Sequence, residues 1–236
     1  MTYNTSSHLA TDGAPKRLVP ISAVAAQMAA EGLSGIVTDV LNFALTLEYL
    51  EADFYTRGVG TSGLIPADMQ PVFDQIRKHE VAHVALLRNV LGSKAVAMPT
   101  FDFTAGGMFG DVFSNMQTFA ALAQAFEDTG VRAYKGQAAN LMGNKAVLQT
   151  ALQVHSVEAR HASQVRRMRE QKGWITNSER GNLPPATQGI YDGENNRFQF
   201  ILARPGSSST WTEAFDETLT KGQVLSIVAP FIKGGL

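Results

Sequence analysis

The feature that most constrains the fold of this chain is a pattern of glutamate and histidine that occurs twice, in register. In each copy a lone glutamate is followed, one segment later, by a glutamate and a histidine three residues apart: Glu48, Glu80 and His83, then Glu127, Glu158 and His161. The lone glutamates are 79 residues apart (127 − 48), and the paired ones are 78 apart (158 − 80). This repeat predicts two similar helical hairpins related by a pseudo-two-fold axis.

The segments that carry the pattern have helical periodicity. Apolar residues recur at steps of three and four along about 34–57, 66–91, 112–141 and 144–172. Each apolar stripe is interrupted near its middle by one of the four glutamates. A carboxylate buried alone is so unfavourable that it must be paired, protonated or bound to metal, so the four are expected to converge. We therefore predict an all-α protein built on a four-helix bundle.

Connection lengths predict how the four helices are joined. A short loop at 58–65 follows the first helix and a tighter one at 142–144 follows the third, so each pair should be an antiparallel hairpin. The connection between the second and third helices, 93–111, is long enough to cross the bundle from end to end. This long crossover makes the second and third helices parallel.

Composition divides the chain into three parts. Residues 1–33 are predicted as an N-terminal arm that leads into a helix, 34–172 as the bundle, and 173–236 as an irregular C-terminal extension with two short helices. In the extension, "RFQFIL" (197–202) is strand-like, and the second short helix begins after a cap at Thr220. We expect the extension to pack on its own bundle or on a partner subunit, in which case the chain is a homo-oligomer.

Charge and composition exclude several classes of partner. With 20 Lys and Arg against 21 Asp and Glu, the net charge of −1 attracts neither nucleic acid nor an anionic membrane. No apolar run approaches the roughly 20 residues of a membrane span, so we expect a soluble protein. Lys16 and Arg17, followed by "LVPISAVAAQMAA", resemble an export signal. Pro20 and Gln27 interrupt that run and favour a mature arm, and both the cytoplasm and the periplasm suit such a chain.

The converging side chains suit a dinuclear metal site. Residues three apart on a helix differ by about 60 degrees of rotation, so each paired Glu and His point to the same side. Two divalent ions and four carboxylates together have no net charge, and carboxylates can bridge the ions. Because the chain has no cysteine, any metal is held by nitrogen and oxygen, which favours iron, manganese or zinc. Open positions on such ions can bind dioxygen, peroxide or water.

The run "HEVAH" (79–83) also fits the zinc-protease pattern, in which His79 and His83 would both bind the metal. The second copy, "VEARH" at 157–161, keeps a Glu and a His three apart but has valine in place of the first histidine. Residues 84–126 contain no His or Glu that could serve as the third protease ligand. His79 is therefore predicted to be a neighbour of the site rather than a ligand.

Further side chains are predicted around the site. Tyr55 and Tyr134 lie seven residues after the lone glutamates. The simplest interpretation is core aromatics with a bonded hydroxyl, and a redox relay is the alternative. His155, one turn before Glu158, either bonds near the site or lies in the core or at the surface. Three acidic residues fall off the stripes and are predicted to be solvated or to support the ligands from outside: Glu51, Asp53 and Asp128.

The order Glu, Glu-x-x-His, Glu, Glu-x-x-His over residues 34–172 resembles the ferritin-like superfamily of di-iron and di-manganese carboxylate proteins. The resemblance implies two iron or manganese ions, with zinc as a substitute. It also implies six metal ligands at the matching positions: Glu48, Glu80, His83, Glu127, Glu158 and His161. The implied activity is that of an oxidoreductase, ferroxidase-like or catalase-like, whose small-molecule substrate is dioxygen or peroxide.

A narrower resemblance is to bacterial ferritin-like domain proteins related to plant desiccation-related proteins, and "AFDETLTKGQVLSIVAPF" (214–231) resembles their C-terminal segment. It implies an alternative function, a non-enzymatic metal-binding or stress-protective protein. Many ferritin-like enzymes have Asp directly before Glu-x-x-His, where this chain has His79 and Val157. Ferritins that form a hollow shell end in one short helix, whereas 63 residues (236 − 173) follow Gly173 here, which opposes a storage cage.

Overall fold

The computed structural model of this chain describes residues 21–30, 32–197 and 208–235. Within these ranges there are seven α-helices, named here in chain order: α1 Ile21–Ala30, α2 Gly35–Gly60, α3 Gln70–Leu91, α4 Met116–Gln137, α5 Lys145–Met168, α6 Ser208–Glu213 and α7 Lys221–Val228. The same ranges contain no β-strand beyond an isolated bridge. The all-α prediction is confirmed.

The helices begin at polar caps, because the first backbone N–H groups of a helix lack partners within it. Ser34 Oγ accepts a hydrogen bond from Val37 N at 3.3 Å at the start of α2, and Asn144 Oδ1 accepts one from Val147 N at 2.9 Å at the start of α5. The predicted cap at Thr220 is confirmed by a reciprocal pair of bonds at the start of α7.

Five helix ends differ from the predictions by three or four residues. α2 ends at Gly60 rather than at 57, α4 ends at Gln137 rather than at 141, and the other three have a clear local cause. α3 begins at Gln70 rather than near Pro66, because the residues after Pro66 form a separate turn in which Gln70 N donates to the Pro66 carbonyl at 2.9 Å. α4 begins at Met116 rather than at 112, where the Asn115 side chain caps it. α5 ends at Met168 rather than at 172, because Glu170 has a φ of 59°, a left-handed conformation that stops the helix.

Contacts between the helices determine their directions. α2 with α3 and α4 with α5 are each joined by a short connection and form two hairpins. Tyr55, late in α2, bonds to Glu127 in the middle of α4, whereas Tyr134, late in α4, bonds to Glu48 in the middle of α2. Such crossed pairs require α2 and α4 to be antiparallel. The helices on either side of the crossover, α3 and α4, are therefore parallel, as predicted.

One end of the bundle is filled by aromatic rings. The Phe54 ring stacks on Phe119 with 4.6 Å between centroids, and it meets Phe103 and Phe126 edge-on at 5.2 Å and 5.1 Å. These contacts join α2, α4 and the crossover. Aromatic clusters of this kind add packing energy to their large buried area and restrict movement of the helices that carry them.

The crossover, residues 92–115, is covered by the end of the chain. Phe101 pairs with Ile232 in the isolated antiparallel bridge, and Lys233 N donates a hydrogen bond to the Thr100 carbonyl at 2.9 Å. The C-terminal extension thus packs on its own bundle. Its backbone hydrogen bonds attach it to the crossover that joins the two hairpins.

A buried arginine in α4 anchors the extension. Arg132 is 1% exposed, and its Nε lies 2.7 Å from Glu194 Oε1. The same guanidinium donates to the backbone carbonyls of Glu217 and Asp192 at 2.9 Å each, and to that of Ile190. One charged side chain therefore binds several backbone groups of the extension as well as a carboxylate.

Close approach of the backbone adds to this anchor. A Cβ atom at Gly136 of α4 would overlap the carbonyl oxygen of Leu219, so glycine is required where the extension crosses the helix. Residues 1–20 of the predicted arm (1–33) and most of "RFQFIL" lie outside the described residues. None of the helices in the described ranges is both long and apolar enough to cross a membrane.

Candidate metal centre

Six side chains meet in the middle of the bundle. The four glutamates are 0% exposed, and they come one from each helix of the two hairpins, with a histidine one turn later in α3 and in α5. The members of this group, the cluster, are Glu48, Glu80, His83, Glu127, Glu158 and His161. The structure thus brings together all six residues that the repeated pattern placed on the stripes.

His83 is surrounded by three carboxylates. Its Nδ1 lies 3.2 Å from Glu48 Oε2, 3.2 Å from Glu80 Oε2 and 3.1 Å from Glu158 Oε1. One donor atom from each of these four residues lies within 4.8 Å of the others. These four side chains are therefore close enough together to hold one metal ion between them.

His161 has a matching environment in the other half of the cluster. Its Nδ1 lies 2.9 Å from Glu80 Oε1, 3.3 Å from Glu127 Oε2 and 3.2 Å from Glu158 Oε2. Glu80 and Glu158 therefore belong to both halves, and each turns one oxygen toward each histidine. Two carboxylates of the cluster are thus shared between its two groups of possible ligands.

Three carboxylate oxygens of the cluster are buried without a hydrogen-bond donor: Glu80 Oε1, Glu127 Oε2 and Glu158 Oε1. Each is within ion-pair distance of an imidazole Nδ1, but the angles do not form a hydrogen bond. Buried acceptors are nearly always bonded, and leaving three of them together is strongly unfavourable. A cation among them would remove that cost, and the oxygen and imidazole donors suit iron, manganese or zinc. The residues present therefore fit divalent metal ions.

Burial and the charges of neighbouring side chains shift the pKa values of the groups in the cluster. Burial raises the pKa of Glu127 to about 7 although His161 partly offsets it, and burial together with Glu158 raises the pKa of Glu80. Burial alone would lower the pKa of His83 and of His161, but the surrounding carboxylates raise both well above the ordinary value. In the metal-free protein both imidazoles are therefore cationic and stand in for part of the charge of a metal.

Two tyrosines bind the lone glutamates from the opposite hairpin. The Tyr55 hydroxyl donates to Glu127 Oε1 at 2.5 Å, and the Tyr134 hydroxyl donates to Glu48 Oε1. Burial raises the pKa of both phenols well above the ordinary value, so both keep the proton that they donate. Each bond occupies one oxygen of its glutamate and leaves the other facing a histidine. Both hydroxyls are thus bonded, with Tyr55 buried in the core and Tyr134 half-buried beside it.

His79 supports His161 from the other hairpin. Its Nδ1 lies 2.9 Å from His161 Nε2, and the two rings stack with 5.2 Å between centroids. His79 Nε2 lies 2.7 Å from the Gln75 side-chain amide. Because His161 turns Nδ1 to the carboxylates, His79 orients the outer nitrogen, as an outer hydrogen-bond partner does for many metal-binding histidines. His79 itself belongs to neither half of the cluster.

Other predicted neighbours of the site lie elsewhere. His155 Nε2 is buried without a hydrogen-bond partner in the described chain, and the structure shows no bond between His155 and the cluster. Of the two alternatives predicted for Asp128, exposure to solvent is wrong, because it is 3% exposed. It accepts hydrogen bonds from Arg166 at 2.9 Å and 2.7 Å and from the Tyr191 hydroxyl at 2.6 Å. Asp128 therefore links α4 to α5 and to the extension.

Glu51 is a fifth buried carboxylate beside the cluster, where helical periodicity did not place it. It is 3% exposed, and burial followed by the charges of the cluster glutamates raises its pKa well above the usual range. A Cβ atom at Gly130 would lie 3.2 Å from Glu51 Oε1. Gly130 is the position that matches Glu51 in the second copy (130 − 51 = 79). The available signal for a buried Glu51 was a glycine at the matching position of the second copy, since glycine leaves room for the glutamate side chain.

We expect the metal-free protein to lose stability as the pH rises from about 5 to about 8. The folded-state pKa of Glu127 is about 7 against an ordinary value of 4.5, so the folded state keeps a proton that the unfolded chain has released. This stability is present below the unfolded pKa and is lost as the pH rises through 7, about 3 kcal/mol for a fully buried group. The raised pKa values of both imidazoles act in the same direction.

Bound metal should reverse this dependence, because metal ions bind the deprotonated ligands. Thermal unfolding of metal-free and metal-loaded protein across the same pH range checks both parts. A metal-free protein whose unfolding temperature rises over this range would contradict the assignment of the shifted groups.

The fold and the cluster define a class of protein, a four-helix bundle with a buried carboxylate and histidine site compatible with metal. In a comparison with protein families, residues 37–171 match the ferritin-like domain. The match covers more than half of the chain, and the chain belongs to the ferritin-like domain family. A comparison with curated proteins gave no match. The narrower resemblance to desiccation-related proteins remains a prediction.

Proposed function

We propose that the cluster binds two ions of iron or manganese. Glu80 and Glu158, which belong to both groups of possible ligands, would hold the ions together with the histidine and the lone glutamate of each group. The observation that carries the proposal is the set of three unbonded, buried oxygens between two imidazoles. The cluster contains two groups of possible metal ligands, one around each histidine, and both groups include Glu80 and Glu158. Zinc is compatible with the same donors as a substitute.

The charges of the buried groups support two divalent ions rather than one. Four carboxylates need about four positive charges to be tolerated in a dry interior. Glu51 is left out of this count, because burial and the neighbouring carboxylates raise its pKa well above the usual range in the metal-free protein, which favours the neutral carboxyl. Metal binding would release the protons held by the imidazoles, whose charge the ions then replace.

We propose further that the loaded protein is an oxidoreductase, ferroxidase-like or catalase-like, that acts on dioxygen or peroxide. Bound iron or manganese would supply the redox chemistry. The residues of the chain orient the ligands: Tyr55 and Tyr134 each fix one oxygen of a lone glutamate, and His79 fixes the ring of His161. The aromatic rings around Phe54 exclude water from the adjoining end of the bundle.

The second candidate is a protein that sequesters metal without turnover. One observation favours it: the side chains of the cluster other than His83 are at most 5% exposed, so metal exchange should be slow. A stress-protective role of the kind that the narrower resemblance implies would need only this property.

Metal content and turnover test the proposal and separate the two candidates. Protein is loaded anaerobically with ferrous iron or with manganese, desalted, and analysed by inductively coupled plasma mass spectrometry. About two ions per chain are expected. The loaded protein is then exposed to dioxygen or to hydrogen peroxide, and consumption is followed with an electrode.

A Glu179→Gln variant is the matched control, because Glu179 is an exposed glutamate outside the bundle and should bind metal no differently. Fewer than one ion per chain after repeated loading would overturn the metal site. Two ions without consumption of either oxidant would leave the site standing and favour sequestration.

A further inference from the structure

The two copies of the ligand pattern differ at one position directly beside the ligands. The residue before the first Glu-x-x-His is His79, and its counterpart before the second is Val157 (157 − 79 = 78). An imidazole can form a hydrogen bond with a neighbouring ring and stack on it, whereas a valine side chain can do neither. The two histidine ligands therefore have different surroundings, although the ligands themselves repeat.

His161 is held from outside the cluster by two contacts with His79. His79 Nδ1 lies 2.9 Å from His161 Nε2, and the two rings stack at an angle of 13° with 5.2 Å between centroids. The Gln75 amide lies 2.7 Å from His79 Nε2 in turn. Because an amide offers both a donor and an acceptor, it can bond His79 in either tautomer. The orientation of the His161 ring is therefore set at both of its nitrogens.

His83 lacks an equivalent support. Its Nδ1 faces three carboxylates, as that of His161 does, but its outer nitrogen Nε2 has no hydrogen-bond partner in the described part of the chain. Val157 lines the space beside His83, where the repeat would place the counterpart of His79. The side chain of His83 is also 13% exposed, against 5% for that of His161. The carboxylates alone therefore orient the His83 ring.

The set of donor groups is the same in the two halves of the cluster. Each half contains one histidine, one lone glutamate and the two shared glutamates. Each lone glutamate accepts a hydrogen bond from a tyrosine of the opposite hairpin. The outer nitrogens of the two histidines, by contrast, differ in whether they have a partner. Such a partner holds a metal-binding histidine in one tautomer and one orientation, and its loss typically costs ~10–100-fold in metal affinity.

We propose that His79 is a positioning residue that makes the two metal positions unequal. The half around His161 binds its ion more tightly and fills first, and it keeps that ion while the half around His83 exchanges its own. The inference rests on the proposed function, because it requires a dinuclear site. It adds to that function a retained ion and an exchangeable one, assigned to named halves of the cluster.

Two single-ion variants measure the halves separately and without turnover. Glu48→Gln removes a ligand from the half around His83 only, and Glu127→Gln removes one from the half around His161 only. The variants are matched, because both glutamates are 0% exposed and each is bonded by a tyrosine. Each is titrated anaerobically with Mn²⁺, and free Mn²⁺ is measured by electron paramagnetic resonance. We expect Glu48→Gln to bind its ion ~10–100-fold more tightly than Glu127→Gln.

His79→Val, which copies the residue at 157, tests the cause in both backgrounds. Added to Glu48→Gln, it should weaken Mn²⁺ binding by ~10–100-fold, because His161 loses its outer partner. Added to Glu127→Gln, it should leave the affinity unchanged, because the remaining half has no bond to His79. A general loss of stability could not produce an effect confined to one half, so an equal weakening in both backgrounds would overturn the positioning role.

The outcomes separate this inference from the proposed function. If the wild type binds fewer than one Mn²⁺ per chain, the proposed function fails and the inference fails with it. If the wild type binds two ions and the single-ion variants bind theirs equally tightly, the inference alone is overturned and the dinuclear site stands. Should His79→Val not fold, His79→Phe keeps an aromatic ring beside His161 but removes the hydrogen bond, and it carries the same expectations.

Discussion

Replacing Glu158 with glutamine should remove metal from both halves of the cluster. Glu158 turns one oxygen to His83 and the other to His161, and the neutral amide cannot supply the negative charge that the ions need. We expect metal content to fall from about two ions per chain to well below one. Affinity should fall by more than the ~10–100-fold that loss of an outer hydrogen-bond partner causes, since a direct ligand is lost. Mass spectrometry of the desalted protein measures the metal content.

Glu127→Gln is the matched control. Glu127 is equally buried but belongs only to the half around His161, so about one ion per chain should remain. The two variants differ in which ions they lose and not in the chemistry of the substitution. Equal metal content in both variants would contradict the sharing of Glu158 between the two ions.

Replacing Arg132 with methionine should destabilise the protein by about 3–5 kcal/mol, because it leaves a buried carboxylate without its partner. Arg132 and Glu194 are an ion pair at 2.7 Å with side chains 1% and 0% exposed, and three backbone carbonyls lose a donor at the same time. For a chain of this size the unfolding temperature should fall by about 6–20 °C. Thermal and denaturant unfolding measure the change.

The cost should be greater at pH 8 than at pH 6. Burial raises the pKa of Glu194 to about 7 even with Arg132 beside it, and removal of Arg132, whose charge lowers that pKa, raises it further. A raised carboxyl pKa in the folded state costs more stability as the pH rises, so the loss of Arg132 is felt more at the higher pH. Arg160→Met is the control, since Arg160 is exposed on α5, and a surface change of this kind alters stability by less than about 0.5 kcal/mol. A loss in Arg132→Met no larger than in this control would show that the extension docks without the ion pair.

The loss of metal in Glu158→Gln concerns the cluster, and the loss of stability in Arg132→Met concerns the docking of the extension. The ion pair of Arg132 and the bonds of Asp128 attach the extension to α4, the helix that also carries Glu127. The extension does not contribute to the cluster in the described residues, but its docking buries the outer side of α4. We infer that it stabilises the helix that holds one of the ligands.

Much of the site could be predicted from the sequence because the ligands follow short-range rules. A helix repeats its face every three to four residues, so Glu80 with His83 and Glu158 with His161 had to share a side. Burial of the stripes then brought the four glutamates together, as the structure confirms. The cap at Thr220 and the parallel pair around the crossover were predicted on similar local grounds.

Long-range packing decided what those rules could not. Periodicity assigned Asp128 and Glu51 to faces away from the core, but α4 is buried on nearly every side because the extension covers it. Helix ends also depended on tertiary and local backbone detail, as at Glu170, where a left-handed residue stops α5 before the predicted end at 172.

The sequence by itself determined which residues form the cluster, since their type and spacing are set along single helices. The tertiary structure alone decided which carboxylates face both histidines, because that depends on how two hairpins cross. It also decided that His79 covers His161 while Val157 leaves a pocket beside His83. His79 and Val157 occupy matching positions in the two copies of the pattern, and each lies beside the histidine of the other hairpin. One covers its histidine and the other leaves space beside it, because an imidazole ring is larger than a valine side chain and can form hydrogen bonds.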